Sequence, residues 1–469
     1  MDTPVKSLNP NKHLKEQFVS NLSGSSMLEL FSLTAVLSIV ILLQRSFGFN
    51  SQTGADSAEA LSKKDENDNG FLHTKNLAKY IATLSLDFLY IVVPFILYTT
   101  VLADWTYINT TIVALLVLLC ILAGRFGSFF QEDGVQSHRQ NISSYRVSTV
   151  LLTCLCILAV DFKIFPRRYA KTETYGTSLM DLGVGSFVLA NSLVSRQARG
   201  ISTLKITNSL RSTSPLIFLG FARLISTSSV DYQVHVGEYG VHWNFFFTLA
   251  GVTILTSIIN VPPNYCGILG LLILLGYQVL LLLGLNEYLL SDKRGADLIS
   301  QNKEGIFSIF GYWSLYLFGV QLGNFLFFEN HANSSLRTNK WARIRVWVLS
   351  LLFWFLTYIL DRHVERVSRR MCNLAYVTLV LAQNLQVLGI IMLSDYTPRH
   401  KLSALEEAFN QNLLASFLLA NVLTGLVNLS VDTLFVSSVS ALAILHLYAF
   451  VLSLAVGFAK FYGIKFKFW

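Results

Sequence analysis

Residues 266–284 read CGILGLLILLGYQVLLLLG, a stretch without a charged side chain. At a rise of about 1.5 Å per residue, a helix of this length is about as long as the ~30 Å hydrocarbon core of a bilayer is thick. The stretch therefore predicts a membrane-spanning α-helix.

Apolar runs of this kind recur along the chain of 469 residues, of which only 14% are charged, against roughly 25% in soluble domains. They predict an all-α, polytopic membrane protein with about thirteen transmembrane helices in a single bundle. In chain order the runs are 27–43, 81–102, 106–124, 147–162, 182–195, 214–229, 245–261, 266–284, 306–326, 346–360, 375–392, 413–429 and 437–458. We expect a polar N-terminal segment at 1–26, one multi-span membrane domain at 27–460 and a tail at 461–469.

Basic residues predict the orientation, because the cytoplasmic loops of membrane proteins carry an excess of Lys and Arg. An odd number of spans places the termini on opposite sides, and the side of the C-terminus holds more basic residues. We therefore expect a luminal N-terminus and a cytosolic C-terminus. The net charge of +8 comes from short loops between apolar runs, so it indicates anionic lipid head groups rather than nucleic acid.

A polar, charged segment begins at Asp161, at the end of an apolar run, and Pro166 prevents the helix from continuing. Lys171 follows ten residues later and could pair with Asp161. An aspartate that accepts a hydroxyl proton and a lysine that stabilises an oxyanion are what acyl transfer from a thioester to an alcohol requires. A structural salt bridge is the alternative, and spacing does not decide between Lys163 and Lys171 as the partner.

Two pairs of arginines lie on the predicted luminal side, where the topology rule disfavours them. They are Arg167 with Arg168 and Arg369 with Arg370. We interpret them as candidates for binding an anionic group such as a lipid phosphate. Side chains that extend to lipid head groups are the alternative.

Ser178, Asp181 and Gly185 would share one face of a helix that follows the charged segment, and they are candidate substrate contacts. A glycine at such a position lets another helix or a ligand approach closely. Close packing of helices is the simpler interpretation of Gly185.

The segment HVGEYGVHWN contains four more candidate substrate contacts, namely His235, Glu238, His242 and Asn244. The seven-residue spacing of the histidines would place both on one face of a helix. Because the metalloprotease spacing HExxH is missing, we predict no metal, and either contacts to a substrate head group or a satisfied cluster at the membrane interface. Asn421, inside a later span, is a further candidate, with interhelical hydrogen bonding as its ordinary interpretation.

The segment ILAVDFKIFPRRYAKTETYGTSLMDLGVGSF at 157–187 resembles the GPI-anchored wall transfer protein family, the inositol acyltransferases of GPI-anchor synthesis. The segments EYGVHWNFFFTL, KEGIFSIFGYW, VSRRMCNLAYV and LLANVLTGLVNLS resemble the same family in the same order. The resemblance implies an enzyme of the endoplasmic reticulum that transfers a fatty acyl group, typically palmitoyl, from acyl-CoA to the inositol of glucosaminyl-phosphatidylinositol. It also implies that Asp161 and Lys171 are catalytic, that acyl-CoA is a co-substrate and that no cofactor is tightly bound.

Three other functions fit parts of the pattern. A glycolipid transporter or scramblase would explain charges near spans, although no internal repeat supports it. A membrane-bound O-acyltransferase could use His235 or His242 as its base, and a non-catalytic subunit of a larger assembly would have no activity alone.

Overall fold

Helices account for nearly all the regular structure in this computed structural model, which describes residues 12–47, 70–123, 134–201, 206–229, 236–328, 339–397 and 402–466. The first ten α-helices are α1 Lys12–Phe18, α2 Met27–Phe47, α3 Gly70–Asp87, α4 Val93–Thr99, α5 Thr106–Leu122, α6 Gly134–Ala159, α7 Leu182–Ser192, α8 Ile206–Ser229, α9 Val236–Tyr239 and α10 Phe245–Ile258. The others are α11 Pro263–Leu280, α12 Asn286–Leu290, α13 Leu298–Gln301, α14 Lys303–Gly323, α15 Asn339–His363, α16 Leu374–Ile391, α17 Ala404–Gln411, α18 Leu413–Ser430 and α19 Ser438–Phe461.

Short turns of other helix types extend several of these elements. The π-helical turns are Phe88–Val92, Leu281–Leu285 and Asn324–Phe328, and the 3₁₀ turns are Ala103–Trp105, Arg167–Tyr169 and Met392–Tyr396. The described residues form no β-strand, although isolated bridges join Gly24 and Ser25 to Thr177. The predicted all-α class is confirmed.

Ten helical segments in the described part of the chain are long and apolar enough to cross a membrane. Three of the predicted spans, at 182–195, 214–229 and 245–261, correspond to shorter apolar helices of 10–17 residues. The chain is therefore a multi-pass membrane protein, and the number thirteen stays a prediction. The predicted span 147–162 is wrong at its end, because α6 stops at Ala159 and leaves Asp161 in the loop beyond it.

The outer helices present apolar side chains to the surroundings. On α5, Leu115, Leu119 and Leu122 have more than half of their surface exposed. Contiguous apolar surface of this kind is unusual on a soluble protein and fits a lipid environment.

Helix α16 lies at the centre and packs against α15, α2, α6 and α7. It carries amides inside the bundle, and they are held by neighbouring helices. Trp354 Nε1 donates to Gln386 Oε1 at 3.0 Å, and Tyr145 Oη donates to Asn384 Oδ1 at 2.8 Å. These bonds satisfy polar groups inside the bundle.

A second set of buried polar groups surrounds Arg45, in the last turn of α2. Arg45, fully buried, donates to Glu406 Oε1 at 2.9 Å and to Ser394 Oγ at 2.8 Å. Ser144 also donates to Glu406. Through these contacts the short helix α17 is attached to α2, α6 and the 3₁₀ turn that follows α16.

The loop between α6 and α7, residues 160–181, folds back over the bundle and is called here the α6–α7 loop. Pro166 lies in this loop, beyond the end of α6 at Ala159, and precedes the 3₁₀ turn Arg167–Tyr169. Ser25 N donates to Thr177 O at 2.7 Å, which ties the segment before α2 to this loop. Gly24 has φ +83°, and a Cβ there would lie 2.2 Å from Thr177 O, so only glycine allows this close approach.

Candidate functional site

A cavity of about 760 Å³ lies between the α6–α7 loop and the membrane helices beneath it. Apolar side chains form much of its wall, including Leu37, Leu152, Phe187, Val387 and Phe417. Six of the predicted site residues also line it: Asp161, Lys171, Glu238, Asn244, Arg369 and Asn421. A cavity with a charged end and a mainly apolar remainder fits an amphiphilic ligand.

Asp161 is 6% exposed, and its Oδ2 accepts a 2.7 Å hydrogen bond from Asn428 Nδ2. Burial raises the pKa of Asp161 to about 6, while Asn428 and the charges of Lys15 and Arg167 act in the opposite direction. A carboxyl group with a pKa close to neutral is suited to accept a proton during catalysis.

Lys171 pairs with Glu238 and not with Asp161, so the expected ion pair is wrong. Its Nζ lies 2.7 Å from Glu238 Oε1. Lys163, the other suggested partner, has its Nζ 5.7 Å from the centroid of the Phe435 ring. The reason is the fold of the α6–α7 loop, which carries Lys171 towards the segment that contains Glu238.

Glu238 joins two cations, since its Oε1 also accepts from Arg369 Nη1 at 3.3 Å. Burial alone would raise the pKa of Glu238, but the positive charges of Lys171 and Arg369 outweigh it and lower this pKa to about 2. Glu238 is therefore ionised at neutral pH. The Lys171 side chain remains 39% exposed, so its ammonium is held at the wall and still accessible.

Asp181 lies outside the cavity and bonds to two residues of the same wall. Its Oδ1 accepts from Arg369 Nε at 2.9 Å, and its Oδ2 accepts from Thr172 Oγ1 at 2.8 Å. Asp181 N donates to Ser178 Oγ at 3.1 Å. These bonds fix Arg369 and the residue that follows Lys171, so Asp181 and Ser178 shape the site without lining the cavity.

The prediction that Ser178, Asp181 and Gly185 share a helical face is wrong, because α7 begins only at Leu182. Polar side chains at Ser178 and Asp181 bond to nearby groups of the loop instead of continuing a helix. Gly185 lies in α7, and a Cβ there would be 2.7 Å from Val380 Cγ2. Close packing of helices, the simpler interpretation of this glycine, is confirmed.

Arg167 holds the α6–α7 loop together. Its guanidinium lies 3.9 Å from the centroid of the Phe18 ring, and its Nη2 donates to Val160 O and Phe165 O, both at 2.9 Å. Arg167 is not among the cavity-lining residues in the described part of the chain.

Arg168 and Arg370 form ion pairs elsewhere. Arg168 lies 2.7 Å from Glu29 and 2.8 Å from Asp104, and Arg370 lies 2.9 Å from Glu304. Neither arginine is among the described residues that line the cavity. Phosphate binding by these arginines stays a prediction.

The segment that precedes α10 folds differently from the sequence expectation. Helix α9 is a single turn, and Gly240 with φ +111° ends it, so the helical spacing expected for His235 and His242 is wrong. His242 is exposed, and its N–H donates to Asn302 Oδ1 at 2.8 Å. His235 lies outside the described residues.

Two asparagines of the cavity wall bond to backbone groups. Asn244 caps α10, because its Oδ1 accepts from Phe246 N at 3.0 Å, and its Nδ2 donates to Gly220 O at 2.9 Å. Asn421 Nδ2 donates to Phe417 O in its own helix at 2.8 Å. The expected interhelical bonding is therefore absent from this donor, whereas Asn428 of the same helix donates to Asp161 in the α6–α7 loop.

Lys15 belongs to the site although no sequence pattern indicates it. This residue of α1 is 8% exposed, and its charge acts on Asp161. Glu16 and Val19, close by in the chain, line the cavity. The polar segment before the first span has no pattern that indicates folding back over the bundle.

Comparison with known proteins gives a consistent result. The family model described as GWT1 matches residues 11–459. A protein of Arabidopsis thaliana is 56% identical over 92% of this chain and 98% of its own length. The Dictyostelium discoideum phosphatidylinositol-glycan biosynthesis class W protein is 35% identical over 82% of this chain and 88% of its own length. The Bos taurus glucosaminyl-phosphatidylinositol-acyltransferase PIGW is 32% identical over 98% of this chain and 99% of its own length.

Proposed function

Because this chain belongs to the GWT1 family, we propose that it is an acyltransferase that moves a fatty acyl group from acyl-CoA to an inositol hydroxyl of glucosaminyl-phosphatidylinositol. Relatives named as acyltransferases of this lipid match almost the whole chain. One structural observation supports acyl transfer at this site. Asp161 and Lys171 line one cavity whose remaining wall is largely apolar.

The proposed reaction begins with proton transfer from the inositol hydroxyl to Asp161. The oxygen then attacks the thioester carbonyl carbon, and the negative charge that develops on the carbonyl oxygen is stabilised by the Lys171 ammonium. Collapse of this intermediate breaks the carbon–sulfur bond. The sulfur of CoA takes the proton from Asp161, so the products are the inositol ester and CoA.

The contacts of Lys171 support a role at the oxyanion. A lysine in this loop could act by orienting Asp161 or by stabilising the oxyanion. Lys171 is held by Glu238 at 2.7 Å and retains 39% side-chain exposure, so its charge is positioned independently of Asp161.

The wall offers further cations for the phosphodiester of the lipid or the phosphates of CoA. Arg223 and Arg369 line the cavity, and Arg369 is kept in place by Asp181 and Glu238. A guanidinium matches the geometry of phosphate oxygens. The apolar remainder of the cavity would take the acyl chain, for which palmitoyl is the expected length.

We further propose a location in the endoplasmic reticulum, with thirteen spans, a luminal N-terminus and a cytosolic C-terminus. Helices α7, α8 and α10 would supply the three spans beyond the ten long ones. The α6–α7 loop and the segment before α2, which bond to each other, would then share the luminal side.

The decisive experiment is acyl transfer by purified full-length protein in lipid nanodiscs with radiolabelled palmitoyl-CoA and glucosaminyl-phosphatidylinositol. We expect an inositol ester to form together with one CoA per ester. Free palmitate in place of palmitoyl-CoA is the matched control. Movement of the glycolipid across vesicles without consumption of palmitoyl-CoA would contradict the proposal and indicate a transporter.

A further inference from the structure

Two arginines line the cavity in the described part of the chain, and they differ in what they offer a ligand. Arg369 is 4% exposed, and its guanidinium is bonded to Asp181 through Nε and to Glu238 through Nη1. Arg223 is exposed as well as lining the cavity. An anionic group that enters the cavity can therefore reach the guanidinium of Arg223, whereas Arg369 is committed to holding the wall.

Helix α8, which carries Arg223, lies between this part of the cavity and the surroundings of the protein. It packs against α10, and three apolar side chains on its outer side, Phe218, Phe221 and Ile225, are more than half exposed. At about 100° per residue, Arg223 lies about 200° around the helix from Phe221 and from Ile225, so it is on the opposite side from this apolar surface. An arginine in an apolar helix is costly in a membrane and indicates an anionic partner.

The position of Arg223 distinguishes between the two substrates that carry phosphate. Burial raises the pKa of Glu238, and the charge of Arg223 is one of three that lower it, so Arg223 lies near Glu238 in the cavity wall. Glu238 in turn holds Lys171 at 2.7 Å. The phosphodiester of the glycolipid is bonded directly to the inositol ring, whereas the phosphates of CoA are separated from the thioester by the whole pantetheine arm. A cation this near to Lys171 is therefore suited to the phosphate of the lipid.

We propose that Arg223 binds the phosphodiester of the glycolipid acceptor and so brings its inositol ring to Asp161. The inference rests on the proposed acyl-transfer function and adds the residue that recognises the acceptor. The tails of this lipid stay in the bilayer beside the outer side of α8, and its head group extends past the helix into the cavity. The acyl chain of the donor occupies the apolar interior, so the two lipids do not compete for the same space.

The test uses two water-soluble acceptors, glucosaminyl-inositol with and without a glycerophosphate ester on the inositol. The wild type should favour the phosphodiester by about ten-fold or more in kcat/KM, because hydrogen bonds between charged groups are among the strongest. Arg223→Gln should bring this ratio close to one. Arg223→Lys should retain part of it, since lysine keeps the charge and loses the planar fork of donors. The KM for palmitoyl-CoA should be the same in all of these proteins.

The matched control is Arg211→Gln. Arg211 is an exposed arginine of the same helix and does not line the cavity in the described part of the chain, so its variant should keep the wild-type ratio. A wild-type ratio in Arg223→Gln would overturn the inference. A raised KM for palmitoyl-CoA in this variant would also contradict it, because Arg223 would then serve the donor. Equal losses in both variants would indicate a general effect of charge on α8.

A binding measurement separates this inference from the proposed function. The glycerophosphate acceptor should raise the melting temperature of the wild type and of Arg211→Gln, and it should raise that of Arg223→Gln much less. This pattern in a protein that transfers no acyl group would count against the proposed function alone. Equal stabilisation of all three proteins would show that Arg223 does not bind the phosphodiester.

Discussion

Asn428 Nδ2 lies 2.7 Å from Asp161 Oδ2, so a side chain near the end of α18 holds the carboxylate that follows α6. A hydrogen bond donated to a carboxylate favours its ionised form and limits its rotation. The contact therefore affects both the pKa of Asp161 and the direction in which this carboxylate faces the cavity.

The pH dependence of transfer should report on this contact. Asp161 accepts a proton only when ionised, so kcat/KM should rise with pH through about 6 and level off above it. Asn428→Ala removes a donor that lowers the pKa of Asp161, so the rise should move to higher pH. The exposed Ser430 donates to its own helix at the same end of α18, and Ser430→Ala should leave the profile unchanged. Identical profiles for all three proteins would show that Asp161 does not control the rate.

Replacement of Asp161 by asparagine should remove most of the activity. Asp161→Asn keeps the shape and the Asn428 contact region but cannot accept the hydroxyl proton, so transfer should fall by about 100-fold or more. Asp104→Asn is the matched control, because the Asp104 side chain is 78% exposed and pairs with Arg168 outside the cavity. A folded Asp161→Asn protein with wild-type turnover would exclude Asp161 as the base.

Lys171 and Glu238 should act as one unit in a double-mutant cycle. Lys171→Met removes the cation, and Glu238→Gln removes the charge that positions it, so each should lower kcat. The double variant should lose less in kcat than the two single losses combined predict, with a coupling free energy of about 0.5–3 kcal/mol. Additive losses would mean that the two side chains act separately. Lys460 and Glu407, 3.9 Å apart and both more than a third exposed, form a comparison pair that should show no coupling in kcat.

Lys15 should contribute to the acidity of Asp161 from the segment before the first span. Its positive charge lowers the pKa of Asp161, so Lys15→Met should move the rise of kcat/KM to higher pH. The exposed Lys79 on α3 is not a cavity residue, and Lys79→Met should leave the profile in place. A Lys15→Met profile that overlays the wild type would show that α1 has no electrostatic effect on the site.

The buried pair of Arg45 and Glu406 should matter for stability. Glu406→Gln leaves the Arg45 guanidinium buried without a counter-charge, and we expect a loss of about 3–5 kcal/mol in the free energy of unfolding. The neighbouring Glu407 is partly exposed, so Glu407→Gln should cost at most about 1 kcal/mol. Thermal unfolding in detergent measures both. Equal melting temperatures for the two variants would be inconsistent with a structural role for the pair.

The apolar runs predicted the helices well, because a run of membrane-spanning length has few other structures available to it. A loop around Pro166 was also predictable, because proline cannot continue a helix, although α6 ends earlier, at Ala159. The partners of the charged residues were not predictable. Lys171 lies ten residues from Asp161 in the chain, yet the fold pairs it with Glu238, which is 67 residues further on.

The same limit applies to Asn428 and Lys15. A pattern of apolar and polar residues indicates which faces of a helix are buried, but not which distant residue a buried side chain contacts. Asn428 and Asp161 are 267 positions apart in the chain. Lys15 reaches the site because the N-terminal segment folds back, and the bridge of Ser25 to Thr177 that fixes it uses backbone atoms. A backbone contact depends little on residue type, although Gly24 and Gly176 allow the close approach and the Thr177 hydroxyl donates to Ser25 O.

The cavity takes its wall from residues as far apart as Glu16 and Thr424. During synthesis at a ribosome, the segment that carries Asp161 enters the membrane long before α18 has been made. Until α18 inserts, one wall is missing and Asp161 lacks its donor. The ability to transfer an acyl group should therefore arise late, when nearly the whole polypeptide has been threaded into the bilayer, and fragments that stop before α18 should be inert.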